Sequence, residues 1–239
     1  MKNKKIKTIP IFYIIVTLIT FLSLLLAIFA RLSIINPISD FNSIEDIIIE
    51  RQRTDETLDS LEECKNELQD AQIIIIGKFN GERESKHYST LSTIEVEQII
   101  KGEEYIDSKY IDVHENNAFA GYKSQLCLRN FTVNNFMQEE KSYLLFLNKL
   151  EDFDEYYKQV KNIKNNQFVM ASYYCTCFCL EETDSEVLDL DSLNIVDYNS
   201  YKNSEFIVFT NMQKKALYEF KEEIINSYIN EKLTKDRHQ

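Results

Sequence analysis

The sequence predicts a mainly β protein: a small β-barrel or sandwich with flanking helices, preceded by one N-terminal transmembrane helix. Three observations predict it. The stretch Ile9 to Ala30 carries no charge. Between Ala71 and Leu180, short β-type runs come one after another with few helical stretches. On either side of that region, apolar residues recur at the three-to-four spacing of a helix face. The expected division is a cytoplasmic N-terminus (1–8), an anchor (9–30), a stalk and leading helix (31–70), a barrel (71–180), and an acidic linker with an amphipathic helix (181–239).

The anchor comes first in the chain. IPIFYIIVTLITFLSLLLAIFA is as long as a bilayer-spanning helix requires. Lys2, Lys4, Lys5 and Lys7 precede it, whereas Arg31, Asp40 and Glu45 lie after it. The positive-inside bias therefore puts the short N-terminus in the cytoplasm and the rest outside. A cleaved signal peptide is the alternative, with Ala27 and Ala30 near a possible cut. The length of the apolar run and Ile28 at the position three before that cut both favour a retained anchor.

Composition limits the fold and the partners. A chain of 239 residues, 44% hydrophobic and 28% charged, can bury one ordinary core. Four glycines and two prolines exclude a collagen-like chain and a Gly-rich phosphate loop. The net charge is −12, and about −16 once the four leading lysines are set aside. Such a body repels phosphate backbones, so no nucleic-acid partner is expected.

The leading helix is marked by Leu58, Leu61, Cys64 and Leu68, one face that would pack on the adjoining domain. Strands begin at QIIIIGKF. The segment Tyr88 to Ile100 is rich in β-branched residues, with Ile94 and Val96 on one side and Glu95 and Glu97 on the other. After the Lys101-Gly102 turn, KYIDVHE opposes Tyr110, Asp112 and His114 to Ile111 and Val113. KSYLLFLN, Lys141 to Asn148, is a core strand, and DEYYKQV and QFVMASYY are further candidates. At the end of the chain, Phe209, Met212, Ala216, Phe220 and Ile224 form a helical stripe, and Thr210 with Gln213 predicts a capping box.

Three of the five cysteines, Cys175, Cys177 and Cys179, alternate in YYCTCFCL. In a continuous strand they share one face, at a repeat of roughly 6.5–7 Å. Thiolates on one tetrahedral zinc sit roughly 3.8 Å apart, as bonds of about 2.3 Å require. An extended strand therefore disfavours a shared metal, and also a disulfide between neighbours in the set. Without Cys-x-x-Cys a redox role is disfavoured too. Structural disulfides with a free thiol, or unpaired buried cysteines, remain. His87, His114 and His238 form no catalytic pattern with neighbouring residues, and no cofactor or metal is implied. The expectation is a binding module rather than an enzyme.

The order AQIIIIGKF, IEVEQIIKGE, YIDVHE, Cys127, EKSYLLFLNK resembles the tissue-inhibitor-of-metalloproteinases and netrin-like OB-fold, especially its extracytoplasmic bacterial versions. The likeness covers Cys64 to Leu180, and its motifs are core and turn residues, which specify a fold better than an activity. It implies a small OB-like β-barrel and a disulfide from Cys64 to Cys127. It also implies a binding surface that includes the long Asn116 to Asn135 segment, with Phe119, Tyr122 and Phe131. Local packing of those rings is the plainer alternative. Inhibitors in that family begin with Cys-x-Cys at a free N-terminus that binds a protease's zinc. Cys64 stands alone inside the chain, so inhibition by that route is not expected. The partner would be an extracellular protein or envelope component, with the membrane held by the N-terminal helix. A thiol-dependent redox or metal-binding protein using Cys175 to Cys179 is the alternative.

Overall fold

The computed structural model describes residues 11–33, 46–50, 57–85, 89–122, 125–130, 132–150, 166–188 and 195–230. The chain divides into two units, 1–36 and 37–239. The first contains helix α1 (Ile11–Ser33), whose 23 residues extend about 35 Å. Thr17, Thr20 and Ser23 each donate to the carbonyl four residues back, which satisfies their hydroxyls inside the helix. Leu18, Phe21, Leu22 and Phe29 are exposed. Among residues with described side chains, which in α1 are 13–29, no helix is long and apolar enough to cross a membrane. The uncharged run itself extends to Ile9 and Ala30.

The second unit contains strands β1 (Asp46–Glu50), β2 (Ile73–Ser85), β3 (Thr90–Lys101), β4 (Tyr110–Glu115), β5 (Asn117–Tyr122), β6 (Gln125–Asn130), β7 (Ser142–Lys149), β8 (Gln167–Met170), β9 (Cys177–Cys179) and β10 (Ile195–Asp197). Its helices are α2 (Thr57–Asp70), α3 (Tyr198–Tyr201) and α4 (Asn211–Ile225). Five strands close into a barrel. β2 pairs with β3 on one edge and β7 on the other, β3 with β4, β4 with β8, and β8 with β7. All these pairings are antiparallel except β4–β8. The β2–β3 register shifts at three points, and such irregularities supply the coiling that a small barrel needs.

Both faces of the barrel wall are covered, which is why β2 and β7 read as unbroken apolar runs. Ile73, Ile75 and Phe79 turn inward to Ile94, Ile111, Val113, Leu145, Leu147 and Phe168. Ile74, Leu144 and Phe146 turn outward, beneath Leu61 and Leu68 of α2 and Leu217, Phe220 and Ile224 of α4. Each large side chain so buried contributes about 1.5–3 kcal/mol. On α4, Thr210 caps the helix by accepting from the Gln213 amide (3.0 Å), and Gln213 Oε1 accepts from the Phe209 amide (2.9 Å). Of the predicted stripe, Phe209, Ala216, Phe220 and Ile224 pack on the cores, whereas Met212 is exposed and Leu217 is buried instead.

A second sheet, ordered β10-β1-β6-β5, changes the reading of three segments. The expected stalk contains β1, which pairs parallel to β6 and antiparallel to β10. Most of the long Asn116 to Asn135 segment is a hairpin, β5–β6. The expected acidic linker supplies β10 and α3, and its neighbours Phe206 and Val208 are fully buried. The candidate strand DEYYKQV lies outside the described residues.

The Lys101-Gly102 turn has a geometric cause. Lys101 Nζ donates to the Ala71 carbonyl (2.5 Å), just past the C-terminus of α2, where a cation is favoured. Gly102 has φ +83°, and a Cβ there would meet the Gln72 carbonyl at 2.6 Å. Gly102→Ala is expected to cost about 2–4 kcal/mol through strain and overlap. A urea melt of the variant checks this, and an unchanged midpoint would contradict the close approach.

Candidate functional site

One feature of the barrel has no counterpart in a regular strand. β8 ends with Met170 opposite Leu147, and β9 starts with Cys177 opposite Leu145. The six residues Ala171 to Thr176 therefore stand opposite Phe146 alone. Phe146 accepts from the Ala171 amide (2.9 Å) and donates to the Thr176 carbonyl (3.3 Å), so β7 stays paired while its neighbour loops out.

Side chains hold this bulge in place. Asn134 Oδ1 accepts from the Thr176 amide (3.0 Å), and its Nδ2 donates to the Cys177 carbonyl (2.6 Å). The Tyr174 carbonyl accepts from Thr132 Oγ1 (2.5 Å) and from the Val133 amide (2.9 Å). Asn116 Nδ2 donates to the Ser172 carbonyl (2.8 Å). Each buried backbone group left without such a partner would cost about 1–3 kcal/mol.

The pinned bulge walls a cleft lined by Glu115, Asn116, Asn117, Thr132, Asn134, Asn135, Met170, Thr176 and Cys177. It is narrow, with room for little more than a water-sized group. Most of its polar atoms are engaged. Glu115 accepts from Arg83 Nε (3.2 Å), the Met137 amide (3.1 Å) and Ser92 Oγ. Arg83 also donates to the Met137 carbonyl (2.6 Å) and lies over the Phe79 ring, 4.3 Å from its centroid. Asn135 Nδ2 donates to the Tyr201 and Ser204 carbonyls (3.0 Å each). The exception is Asn117. It is buried and donates to the Asn134 carbonyl (2.9 Å), yet its Oδ1 takes no hydrogen bond from any described residue.

The cysteines separate rather than converge. Cys177 and Cys179 face the barrel interior, whereas Cys175, displaced by the bulge, joins the core beneath the helices with Phe178. The expected single face of three is thus corrected, because the alternation is broken before β9 begins. Cys64, Cys175, Cys177 and Cys179 are all free and buried. The expected Cys64–Cys127 disulfide is not seen among the described residues; Cys64 Sγ donates to the Cys175 carbonyl (2.9 Å). Cys127 lies in β6, with its backbone opposite Ile48 and Ala120, and its side chain is outside the described residues. Burial pushes the Cys64 thiol up to about 11 and Cys179 to about 12, and raises Cys175 and Cys177 well above the ordinary value. Thiols so raised are protonated, weak nucleophiles at neutral pH. Among the described residues no three of His, Cys, Asp and Glu converge on a point that could hold a metal.

The expected aromatic surface is also corrected at Phe119. Its ring is buried, stacked on Phe136 (5.0 Å between centroids) and edge-on to Tyr198 (6.2 Å). Phe131 and the side chain of Tyr122 lie outside the described residues. Sequence reasoning missed the cleft residues. The signal that could have found them is a doubled Asn-Asn, at Asn116-Asn117 and Asn134-Asn135, each beside an apolar run. No known protein family matches this chain, and no curated protein matches it either.

The raised thiols make a pH prediction. Below the ordinary thiol value of 9.0 they are neutral in the folded and unfolded chain alike. Between 9.0 and about 11 the unfolded chain sheds a proton that folded Cys64 keeps, so stability falls as pH rises. In the reduced chain, Cys64 alone should remove about 2 kcal/mol between about pH 8 and about pH 10.5. Urea midpoints across that range check it, and a midpoint that does not fall would contradict the burial of these thiols.

Proposed function

We propose that the chain is a binding module with an OB-like barrel, of the netrin-like and metalloproteinase-inhibitor type, held outside the cytoplasmic membrane by α1. Counting only barrel strands, the closed order is first-second-third-fifth-fourth, with the third and fifth parallel; this arrangement supports the OB-like assignment. The anchor is supported by the charge-free run, the four lysines before it and the exposed apolar side chains of α1.

The polar cleft beside the bulge carries the binding reading. Its wall is set by hydrogen bonds that the protein makes to itself, and Asn117, one of its lining residues, has a buried Oδ1 that takes no hydrogen bond from any described residue. A narrow polar cleft with one unpaired acceptor in its lining suits an N–H or O–H donor group on an extracellular protein or envelope component. Burial of the thiols supports binding over the thiol-dependent redox or metal-binding alternative.

Protease added to intact cells should remove residues beyond Arg31 and leave a short membrane-bound fragment. In the same cells, crosslinking should join the wild-type chain to a partner. An Asn117→Leu variant, still folded by circular dichroism but melting lower for want of its bond to the Asn134 carbonyl, should lose that product. A chain resistant to external protease contradicts the placement, and a product unaffected by Asn117→Leu contradicts the cleft.

A further inference from the structure

We propose that Cys64 and Cys175 are a disulfide pair, a covalent staple between α2 and the Ala171 to Thr176 bulge that forms when the folding chain meets a disulfide oxidant. The two residues lie 111 positions apart in sequence, yet Cys64 Sγ sits 2.9 Å from the Cys175 carbonyl oxygen. A carbonyl oxygen is roughly 3 Å from the Cβ of its own residue, so the Cys64 thiol lies within one side chain's reach of Cys175. Both belong to the core beneath the helices, at 1% and 0% exposure. Ser172, on the same bulge, hydrogen-bonds the Cys64 side chain as well.

The remaining described cysteines are poor competitors. Cys177 and Cys179 face the opposite core, and being two apart in one strand they cannot bridge each other without strain. Displacement by the bulge is what brings Cys175 to the Cys64 side of the wall.

The chemistry is thiol–disulfide exchange. A thiolate of one cysteine attacks a sulfur of an external disulfide and releases one thiol. The second cysteine then displaces the other half from the mixed disulfide. The pair loses two protons and two electrons, and the external disulfide leaves as two thiols. In the folded protein both thiols are buried and protonated, so the bond forms during folding, before α2 closes over the bulge. In cells this needs an oxidising compartment, and to that extent it rests on the extracytoplasmic placement proposed above.

The test is refolding of the full-length chain in detergent with oxidised and reduced glutathione, then non-reducing peptide mapping. The expected product is one peptide pair joining Cys64 to Cys175, present equally in a Cys127→Ser variant. Bridging across so long a loop should raise Tm by about 10 °C over the reduced chain, and Cys64→Ala or Cys175→Ala should abolish that difference. Either cysteine found free, or joined to another cysteine, overturns the proposal. Because the assay uses purified protein, its failure says nothing about the membrane placement. A bond formed in vitro but absent in cells would count against that placement and leave the pair assigned.

Discussion

The carboxamide of Asn134 does what strand pairing cannot do at this point of the barrel. A run of six residues opposite a single partner breaks the ladder, and a buried amide and carbonyl lose the neighbours that would satisfy them. Asn134 supplies both at once, taking the Thr176 amide and giving to the Cys177 carbonyl. It is itself fixed by the isolated bridge to Phe206 and by the Asn117 side chain on its carbonyl. The barrel, the second sheet and the segment before α4 therefore meet on one residue.

That pin accounts for several features at once. The bulge sends Cys175 to the outer core and leaves Cys177 and Cys179 inside, which is why three alternating cysteines have two different environments. It leaves Tyr173 at 77% exposure while its neighbour Tyr174 packs on the helical core. It forms one wall of the polar cleft, with Thr176 and Cys177 facing the strand-end residues Glu115 and Asn117. Opposite, Glu115 holds Arg83 in a buried ion pair, and removing either partner would strand a charge at a cost of about 3–5 kcal/mol. Near β9, Glu205 is held in the same manner by Lys221 (2.6 Å) and by the Cys179 amide (2.9 Å). Two buried ion pairs flanking one bulge leave little freedom to that end of the barrel.

Much of the barrel was legible because its elements obey simple periodicities. Ile73 to Ile76 and Tyr143 to Leu147 are apolar on both faces, and Leu61, Cys64 and Leu68 recur on one helix face. The bulge was not legible. Ala171 to Thr176 contains neither Gly nor Pro, and its β-rich composition is that of a strand, so nothing local marks the break. What breaks it is non-local, namely hydrogen-bonding groups on Asn116, Thr132 and Asn134. The second sheet was hidden for a similar reason: β1 and β10 are short, and they are stabilised by pairing between distant parts of the chain rather than by their own pattern. The aromatic residues of the β5–β6 hairpin read as a surface because Phe136 and Tyr198, which pack on Phe119, come from other segments of the chain.

The most direct test of the pinned bulge is amide hydrogen exchange, residue by residue, across Ala171 to Cys177. The amides of Ala171 and Thr176 should be protected to the level of the β2–β7 ladder, and Val133 with them, while Tyr173 exchanges rapidly. Uniform protection through Ala171 to Thr176 would mean a continuous strand, and uniform rapid exchange would mean a segment that Asn134 does not hold; either result would contradict the pin.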